Sequence, residues 1–427
     1  MKTEVKKLPR GQAELIIEVT VEEYQPFLDQ AVKIISEQIK IPGFRPGKAG
    51  FEIVKQKVGE NEIWQQALEP AIRKTFLKAV DENKMLTVGS PEVDVVKLAP
   101  GNNVIYKATV NLFPKVDVAD YSKLKVAKKS VEVKPAEVKK TLENIAKMRA
   151  KESLVDRAAK SGDKVEIDFE VFMDKIPVEN GKSQNFALVI GENTFIPGFE
   201  EQIIGLAKGE TKDFQLKFPK NYHQKFLADK LADFKVKVNS VFNLELPKLD
   251  DEFAKSLGDF KTIKEVEEKI LENLQAEQAE KEMTRQEEEI LDQIIEASKF
   301  EDIPDLLVNS EAKKMLEELE HNLGHQGLAF ADYLQHLKKT KEELLLDFAP
   351  QAIKRVKSAL LIKEIKAEEK IEASDKEIEQ ELGKIRETYG GGKEIEDMIS
   401  QPAYRDYLSN IIAAKKVIDH LRSVMIG

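Results

Sequence analysis

Leu15, Ile17 and Val19 alternate with Glu14, Ile16 and Glu18, and Val104, Tyr106, Ala108 and Val110 alternate with Ile105, Lys107 and Thr109. Successive side chains leave a strand on opposite sides, so a period of two predicts strands with one better-buried face. Between them the spacing becomes helical. Thr20 stands three residues before Glu23, where its hydroxyl can accept from the third helical N–H while the carboxylate reaches back. This capping box predicts a helix from there through Ile39, stopped by Pro42-Gly43. From Phe51 to Val80 the apolar residues Ile53, Val54, Val58, Ile63, Trp64, Leu68 and Ile72 predict further helix. Residues 1–114 therefore read as a compact α/β domain.

After Pro114 a basic connector carries Lys123, Lys125, Lys128, Lys129 and Lys134. A helix is expected from Pro135, where proline suits the first turn, with Val138, Leu142, Ile145 and Met148 on one side. From Ser161 the period returns to two in Val165, Ile167, Phe169 and Val171, then in Phe214, Leu216 and Phe218, and in Phe234, Val236 and Val238. That predicts a separate antiparallel β domain over 151–247, with 115–150 belonging to the helical body. Past Pro247 the period is helical over 248–427. Ile263, Val266, Ile270 and Leu274 mark one stripe and Ile290, Leu291, Ile294 and Ile295 another, while the stretch between has little to bury. Ser374 and Glu377 form a second capping box, and Gly390-Gly391-Gly392 reads as a break before the last helices. The fold class is α+β and multidomain: an N-terminal α/β domain, an antiparallel β domain with a short helix, and an all-α C-terminal body with projecting arms.

At 427 residues the chain exceeds one ordinary core. The opening residues Met1 to Leu8 lack the apolar core of a signal peptide, and no run approaches a membrane span, so a cytoplasmic protein without a membrane partner is expected. Cysteine is absent, which removes disulfides, thiolate nucleophiles and cysteine-based zinc sites. Net charge is −10, with acidic residues concentrated between Asp250 and Phe300, a stretch that would repel phosphates. Any contact with RNA must be local and basic.

One such place is Ile41-Pro42-Gly43-Phe44-Arg45-Pro46-Gly47-Lys48, whose prolines and glycines set Phe44 and Arg45 at the tip of a turn. Lys40, Arg45, Lys48, Lys55 and Lys57 face a single acid, Glu52, so the tip joins an aromatic anchor to a positive field. The glycine spacing and Ala49 after Lys48 exclude a phosphate-binding P-loop. On pattern alone, a helix–loop–helix turn with Phe44 packed inward is the commoner arrangement. A second segment runs from Ile196-Pro197-Gly198-Phe199-Glu200 to Gly205-Leu206 and Gly209-Glu210. It would drop Ile196 and Phe199 onto the curved face of the sheet, making an apolar cup lined by Phe169, Phe186, Phe195, Ile196, Phe199, Tyr222 and Phe234. Twisting a prolyl amide costs about 18–20 kcal/mol of resonance, and the twisted state is less dipolar, so a dry aromatic pocket favours it without acid, base or nucleophile. The Tyr222 hydroxyl can hold a substrate carbonyl. The plainer alternative is a small β core filled by aromatics. His321 and His325 have metal-ligand spacing on a helix, but Asn322 and Gly324 spoil the local signature and no metal or other cofactor is expected.

Gly43, Phe44, Arg45, Gly47 and Lys48 resemble the ribosome-docking signature of the trigger factor family, and the Ile196 to Glu210 segment is similar to FK506-binding prolyl isomerases. The likeness continues through Ile303, Pro304, Leu306, Leu307, Val308 and Glu311, and through Phe348, Pro350, Ala352, Arg355, Val356, Lys357, Leu360 and Leu361. The resemblance implies an ATP-independent chaperone that docks beside the exit tunnel of the large ribosomal subunit, cradles nascent and unfolded polypeptides and isomerises X-Pro bonds; exposed apolar surface on such a cradle allows a homodimer off the ribosome, which no sequence pattern specifies. Two departures bear on this: Pro46 and Gly50 stand at docking positions that are often basic and proline, and Asp174-Lys175 with Val178 replace the usual turn after the first strand of the isomerase domain. The rival readings are a chaperone that works away from ribosomes and a helical scaffold whose isomerase domain is weak or inactive.

Overall fold

The computed structural model of the chain describes residues 1–173, 175–222, 224–390 and 392–426 and divides into two compact units, residues 1–128 with those from Thr284 onward, and Lys129–Met283. In the first, strands β1 (Lys2–Leu8) and β2 (Gln12–Val19) precede helices α1 (Val21–Gln38), α2 (Phe51–Val58) and α3 (Glu60–Glu82), and β3 (Thr87–Lys97) and β4 (Val104–Leu112) complete an antiparallel sheet of order β1-β2-β4-β3. The two strands legible in the sequence are the central ones. Ala13, Leu15, Ile17 and Val19 of β2 and Val104, Tyr106, Ala108 and Val110 of β4 are all buried, whereas the edge strands β1 and β3 expose most residues and so carry no clear period. The Thr20–Glu23 capping box forms. Tyr24 stacks on Trp64 with centroids 5.0 Å apart and donates its hydroxyl to the Trp64 carbonyl at 2.8 Å, which locks α1 to α3. The helix expected across Phe51–Val80 is instead two helices, because Gly59 takes a φ of +87°. Such a left-handed residue ends one helix, and the apolar spacing runs on across the break and hides it.

After the short strand β5 (Val116–Asp117), helix α4 (Pro135–Met148) opens the second unit and strands β6 (Lys151–Leu154), β7 (Lys164–Met173) and β8 (Ile176–Val189) follow. Helix α5 (Phe199–Ile203), strands β9 (Thr211–Lys217) and β10 (Leu231–Glu245), and helices α6 (Asp251–Leu257) and α7 (Ile263–Ala297) come next. The antiparallel sheet has the order β6-β10-β7-β8, with β9 also paired to the long β10. Its buried residues, Val165, Ile167, Val171, Phe234, Val236 and Val238 among them, close over Phe199 and Ile203 of α5. Phe253 and Ala254 of α6 and Val266 and Ile270 of α7 bury against Leu142 and Ala146 of α4. Met148, expected on that stripe, is 85% exposed, because it is the last helical residue and Ala146 takes the buried place.

The rest of α7 joins β11 (Lys299–Phe300), α8 (Asp305–His325), α9 (Phe330–Leu337), α10 (Lys341–Glu368), α11 (Asp375–Tyr389), α12 (Lys393–Ile399) and α13 (Pro402–Met425). Ile290 and Ile294 of α7, Leu361 and Ile365 of α10, and Val417, Leu421 and Met425 of α13 form one core. Val126 of the basic connector is part of it. Arg355 of α10 pairs with Glu311 and Glu318 of α8 at 3.5 and 2.9 Å, so two positions of the C-terminal sequence likeness carry a structural ion pair. The Ser374–Glu377 capping box forms, and Gly390 ends α11 with a φ of +78°, while Gly391 of the expected break lies outside the described residues. No described helix is long and apolar enough to cross a membrane.

Candidate functional site

Gly198 has a φ of +85° and the Phe199 N–H donates to the Ile196 carbonyl at 3.1 Å, so Ile196-Pro197-Gly198-Phe199 is a turn with Pro at its second place and a left-handed Gly at its third, the type II arrangement. It delivers Phe199, with no exposed surface, to the inner face of the sheet. Phe195 stacks on it at 3.9 Å between centroids, Phe169 meets Phe195 edge-on at 5.1 Å and Phe186 at 5.6 Å, and Phe234 lies 5.5 Å from Phe199. Ile196 is buried in the same cluster. Five of the seven residues expected to line a cup therefore form one ring-to-ring network. Tyr222 joins it through Phe218, 4.7 Å away, which in turn lies 5.8 Å from Phe234. Phe214, stacked on Phe234 at 5.7 Å, and Phe218 complete the network; both were visible as strand-period residues, but nothing in that period marks them as ring partners. Such pairs add about 0.5–1.5 kcal/mol each beyond area burial.

Phe169, Phe186, Phe195 and Tyr222 keep part of their surface exposed, whereas Phe199 and Phe234 are buried. The arrangement is a buried pair of rings, Phe199 and Phe234, with four part-exposed rings around it. At the turn after β7, Asp174 lies outside the described residues, Lys175 has a φ of +69°, and Val178 packs over Gly181, where an added Cβ would come within 2.9 Å of it.

The loop that presents Phe195 and Ile196 is held from behind by Glu200, which sequence pattern did not single out for this role. The residue is 6% exposed, and its carboxylate accepts from the backbone N–H groups of Gly191, Asn193 and Thr194 at 2.7, 3.0 and 2.8 Å. Burial pushes this carboxyl up, but the combined N–H groups of Gly191, Asn193, Thr194 and Phe195 outweigh it and leave its pKa below the ordinary value. A folded-state pKa below the unfolded one gives stability that is present above the unfolded value and lost as pH falls through the folded one. Glu200→Gln keeps one acceptor but turns an amide donor toward those N–H groups, and is expected to cost about 1–3 kcal/mol. Denaturant unfolding of the full chain at neutral pH, followed by the fluorescence or exchange signal of the β domain, checks this, and the difference should shrink in acid.

The second place is the turn between α1 and α2. The Phe44 N–H donates to the Ile41 carbonyl at 3.2 Å and the Lys48 N–H to the Arg45 carbonyl at 3.0 Å, with Gly43 at φ +86° and Gly47 at φ +77°. These are two successive Pro-Gly turns of the same type, anchored at their ends by the buried Ile41 and Ala49. Phe44 between them is 43% exposed, not packed inward. Arg45 and Lys48 are exposed, and among the described residues no ion pair is formed by either. The Gly47 N–H donates to the Ser36 carbonyl at 3.0 Å and its Cα passes close to Glu37, so a Cβ there would lie 2.9 Å from the Glu37 side chain. His321 and His325 bring their Nε2 atoms to 2.9 Å on the exposed face of α8, and no cluster of three or more metal-binding side chains occurs among the described residues.

Residues 1–145 match the family profile described as bacterial trigger factor protein (TF), residues 262–423 that of its C-terminus, and residues 155–246 that of FKBP-type peptidyl-prolyl cis-trans isomerase. The chain is 37% identical over 423 residues to a trigger factor of Carboxydothermus hydrogenoformans, covering 99% of this chain and 98% of that one. It is 34% identical to trigger factors of Caldicellulosiruptor saccharolyticus and Bacillus pumilus, covering 99% of this chain and 96% and 99% of theirs. A solved structure described as "Promiscuous Substrate Recognition in Folding and Assembly Activities of the Trigger Factor Chaperone" is similar with a TM-score of 0.50 and 21% identity over 99% of both chains, a likeness of fold alone.

Proposed function

Since the chain belongs to the trigger factor family and contains an FKBP-type peptidyl-prolyl isomerase domain, we propose that it docks on the large ribosomal subunit beside the exit tunnel, receives nascent polypeptides there and isomerises their X-Pro bonds in the cytoplasm. Residues 1–114 are the docking domain, 115–150 and 248–427 the helical chaperone body with its arms, and 151–247 the inserted isomerase. Gly43, Phe44, Arg45, Gly47 and Lys48 make the docking contact, with Phe44 as anchor, Arg45 and Lys48 as charges toward an anionic partner, and the glycines as the left-handed hinges of the two turns. Phe169, Phe186, Phe195, Ile196, Phe199, Tyr222 and Phe234 line the isomerase cup.

The observation that carries the docking proposal is the exposed ring of Phe44, held away from its own core by two turns beside an Arg and a Lys that have no carboxylate partner among the described residues. A buried anchor with a paired guanidinium would have nothing left to offer. Client capture rests on exposed apolar side chains of the helical part, such as Leu328 in the loop between α8 and α9, Leu346 of α10, and Tyr407 and Ile411 of α13. The test is sedimentation with ribosomes: the full chain is expected to co-pellet with particles containing the large subunit, and Phe44→Ala with Arg45→Ala to reduce pelleting by about tenfold or more, the effect of losing a little over 1.4 kcal/mol of contact. Equal pelleting of the double variant would leave a chaperone that works away from ribosomes.

A further inference from the structure

The outer face of the isomerase sheet carries a polar cluster that the cup does not use. Both neighbours of β7 depart from regular pairing at the same place. On the β10 side Val238 faces Ile167 and Ser240 faces Glu166, so Asn239 is an extra residue. On the β8 side Phe186 faces Ile167 and Ser183 faces Phe169, so β8 holds one residue too many opposite Asp168. Bulges re-aim the side chains beside them and raise the local twist. Asn185, within the second bulge, has a φ of +51°, in the left-handed region that asparagine enters more readily than other residues with a Cβ.

What holds it is one carboxylate. Asp168 Oδ1 accepts from the Asn185 N–H at 2.8 Å and from Asn239 Nδ2 at 2.7 Å, and Asn239 Nδ2 also donates to Asn185 Oδ1 at 2.9 Å. The Asn185 N–H first, and the Asn239 amide with Lys237 and Lys182 after it, hold the Asp168 carboxyl below its ordinary value against a smaller effect of burial, so it is charged and its hydrogen bonds are charge-assisted. The next residue after Asp168 is Phe169 and the next after Asn185 is Phe186, the two rings that meet edge-on at 5.6 Å and 88°. Neighbouring strand residues point to opposite faces, so a tie on the outer face fixes the angle at which the rings emerge on the inner one.

We propose that Asp168 is a positioning residue of the isomerase: by tying the two bulges together through Asn185 and Asn239 it sets the mutual angle of Phe169 and Phe186 at the wall of the cup. This rests on the reading of that aromatic cluster as the catalytic surface. Asp168 touches no substrate in this account and moves no proton.

The test uses the full chain and a protease-free assay of cis-to-trans relaxation in a short X-Pro peptide, resolved into kcat and KM. Asp168→Ala is expected to lower kcat/KM about tenfold. Asp168→Asn, which keeps an acceptor oxygen for the Asn185 N–H, recovers to within about threefold of the parent. Asn239→Ala falls between them, and Asp168→Ala with Asn239→Ala is no worse than Asp168→Ala alone, because both act through one tie. Ring proton resonances of Phe169 and Phe186 move in Asp168→Ala while those of Phe214 and Phe218 stay, a signature that a general loss of stability would not give. Should Asp168→Ala fail to fold, Asn239→Ala carries the comparison: unmoved Phe169 and Phe186 resonances with parental kcat/KM overturn the proposal. Parental kcat/KM in Asp168→Ala beside an impaired Phe186→Ala overturns the positioning role and leaves the cup standing. An unimpaired Phe186→Ala overturns the cup reading and this inference with it.

Discussion

Phe199→Ala is expected to slow prolyl isomerisation by about a hundredfold in kcat/KM and to destabilise the isomerase domain by about 3–5 kcal/mol. The ring has no exposed surface and touches Phe169, Phe195, Phe214 and Phe234, with centroids 3.9 to 6.3 Å away, so its removal leaves a cavity under the floor of the proposed cup and deprives Phe195 of its stacking partner. Truncation of a fully buried aromatic is felt in full because the surrounding strands are tied by their own ladders and collapse only in part. Two measurements separate folding from catalysis: denaturant unfolding gives the stability loss, and peptide relaxation at low denaturant, where the domain remains folded, gives the activity. Phe195→Ala is the companion variant. Its ring is half-buried at the wall, so it should lose activity with a smaller loss of stability. A folded Phe199→Ala protein that isomerises at the parental rate would remove the cup from the catalytic account.

The same four residues, Ile-Pro-Gly-Phe, stand at 41–44 and 196–199, and they close the same turn: the Phe N–H donates to the Ile carbonyl at 3.2 and 3.1 Å, and the Gly φ is +86° and +85°. Local chemistry dictates that much, since Pro presets one turn dihedral and Gly admits the left-handed one. It does not dictate the fate of the ring. Phe44 is 43% exposed and Phe199 is fully buried, because the second turn opens onto the face of a curved sheet while the first is followed at once by another Pro-Gly turn that carries the chain back to Ala49. Sequence reading expected both outcomes only by weighing the surroundings, and for Phe44 pattern alone favoured the opposite one. Period-two and period-3.6 patterns identified the central strands and the long helices for a related reason: each has one buried face and one wet one. Edge strands β1 and β3 lack that contrast, and Gly59 breaks a helix without disturbing the spacing around it.

Hydrogen-bonded supports were the least legible part of the site. Glu200, quoted only as the end of a motif, and Asp168 carry no mark of these roles in a chain where 34% of residues are charged, and only the fold brings backbone N–H groups to their carboxylates. Nothing in the spacing of Asn185 and Asn239, more than 50 residues apart, announces that they share one acceptor. Aromatic rings, by contrast, have few places to go in a small domain, and those grouped from composition and period pack against one another in the fold.

Val126→Asp is the variant expected to damage the helical part most, by several kcal/mol, although its position lies in a stretch that reads as a solvated basic linker. Lysines at 123, 125, 128 and 129 surround Leu124 and the pair Val126-Ala127, and so short an apolar run between charges has no period to betray it. In the fold Val126 is 1% exposed among Ile290, Ile294, Leu361, Ile365, Val417, Leu421 and Met425, and its N–H donates to the Met425 carbonyl at 2.9 Å. The backbone on either side is pinned as well: Gln293 of α7 donates to the Lys125 carbonyl at 3.3 Å, Arg285 to that of Ala127 at 2.7 Å, and the Lys125 ammonium to the Val424 carbonyl at 2.8 Å. The connector is thus a strap that closes the core shared by α7, α10 and α13, and a carboxylate inside it has no cation to meet among those apolar neighbours. Lys128→Glu, exposed on the same strap, is the control and should change stability by less than about 0.5 kcal/mol. Because the chain holds two compact units, unfolding must be followed by two signals: the helical transition should move to lower denaturant in Val126→Asp while prolyl isomerisation, which depends on the other unit, persists through that transition. Coincident helical transitions for Val126→Asp and Lys128→Glu would mean that the strap contributes nothing to the core it enters.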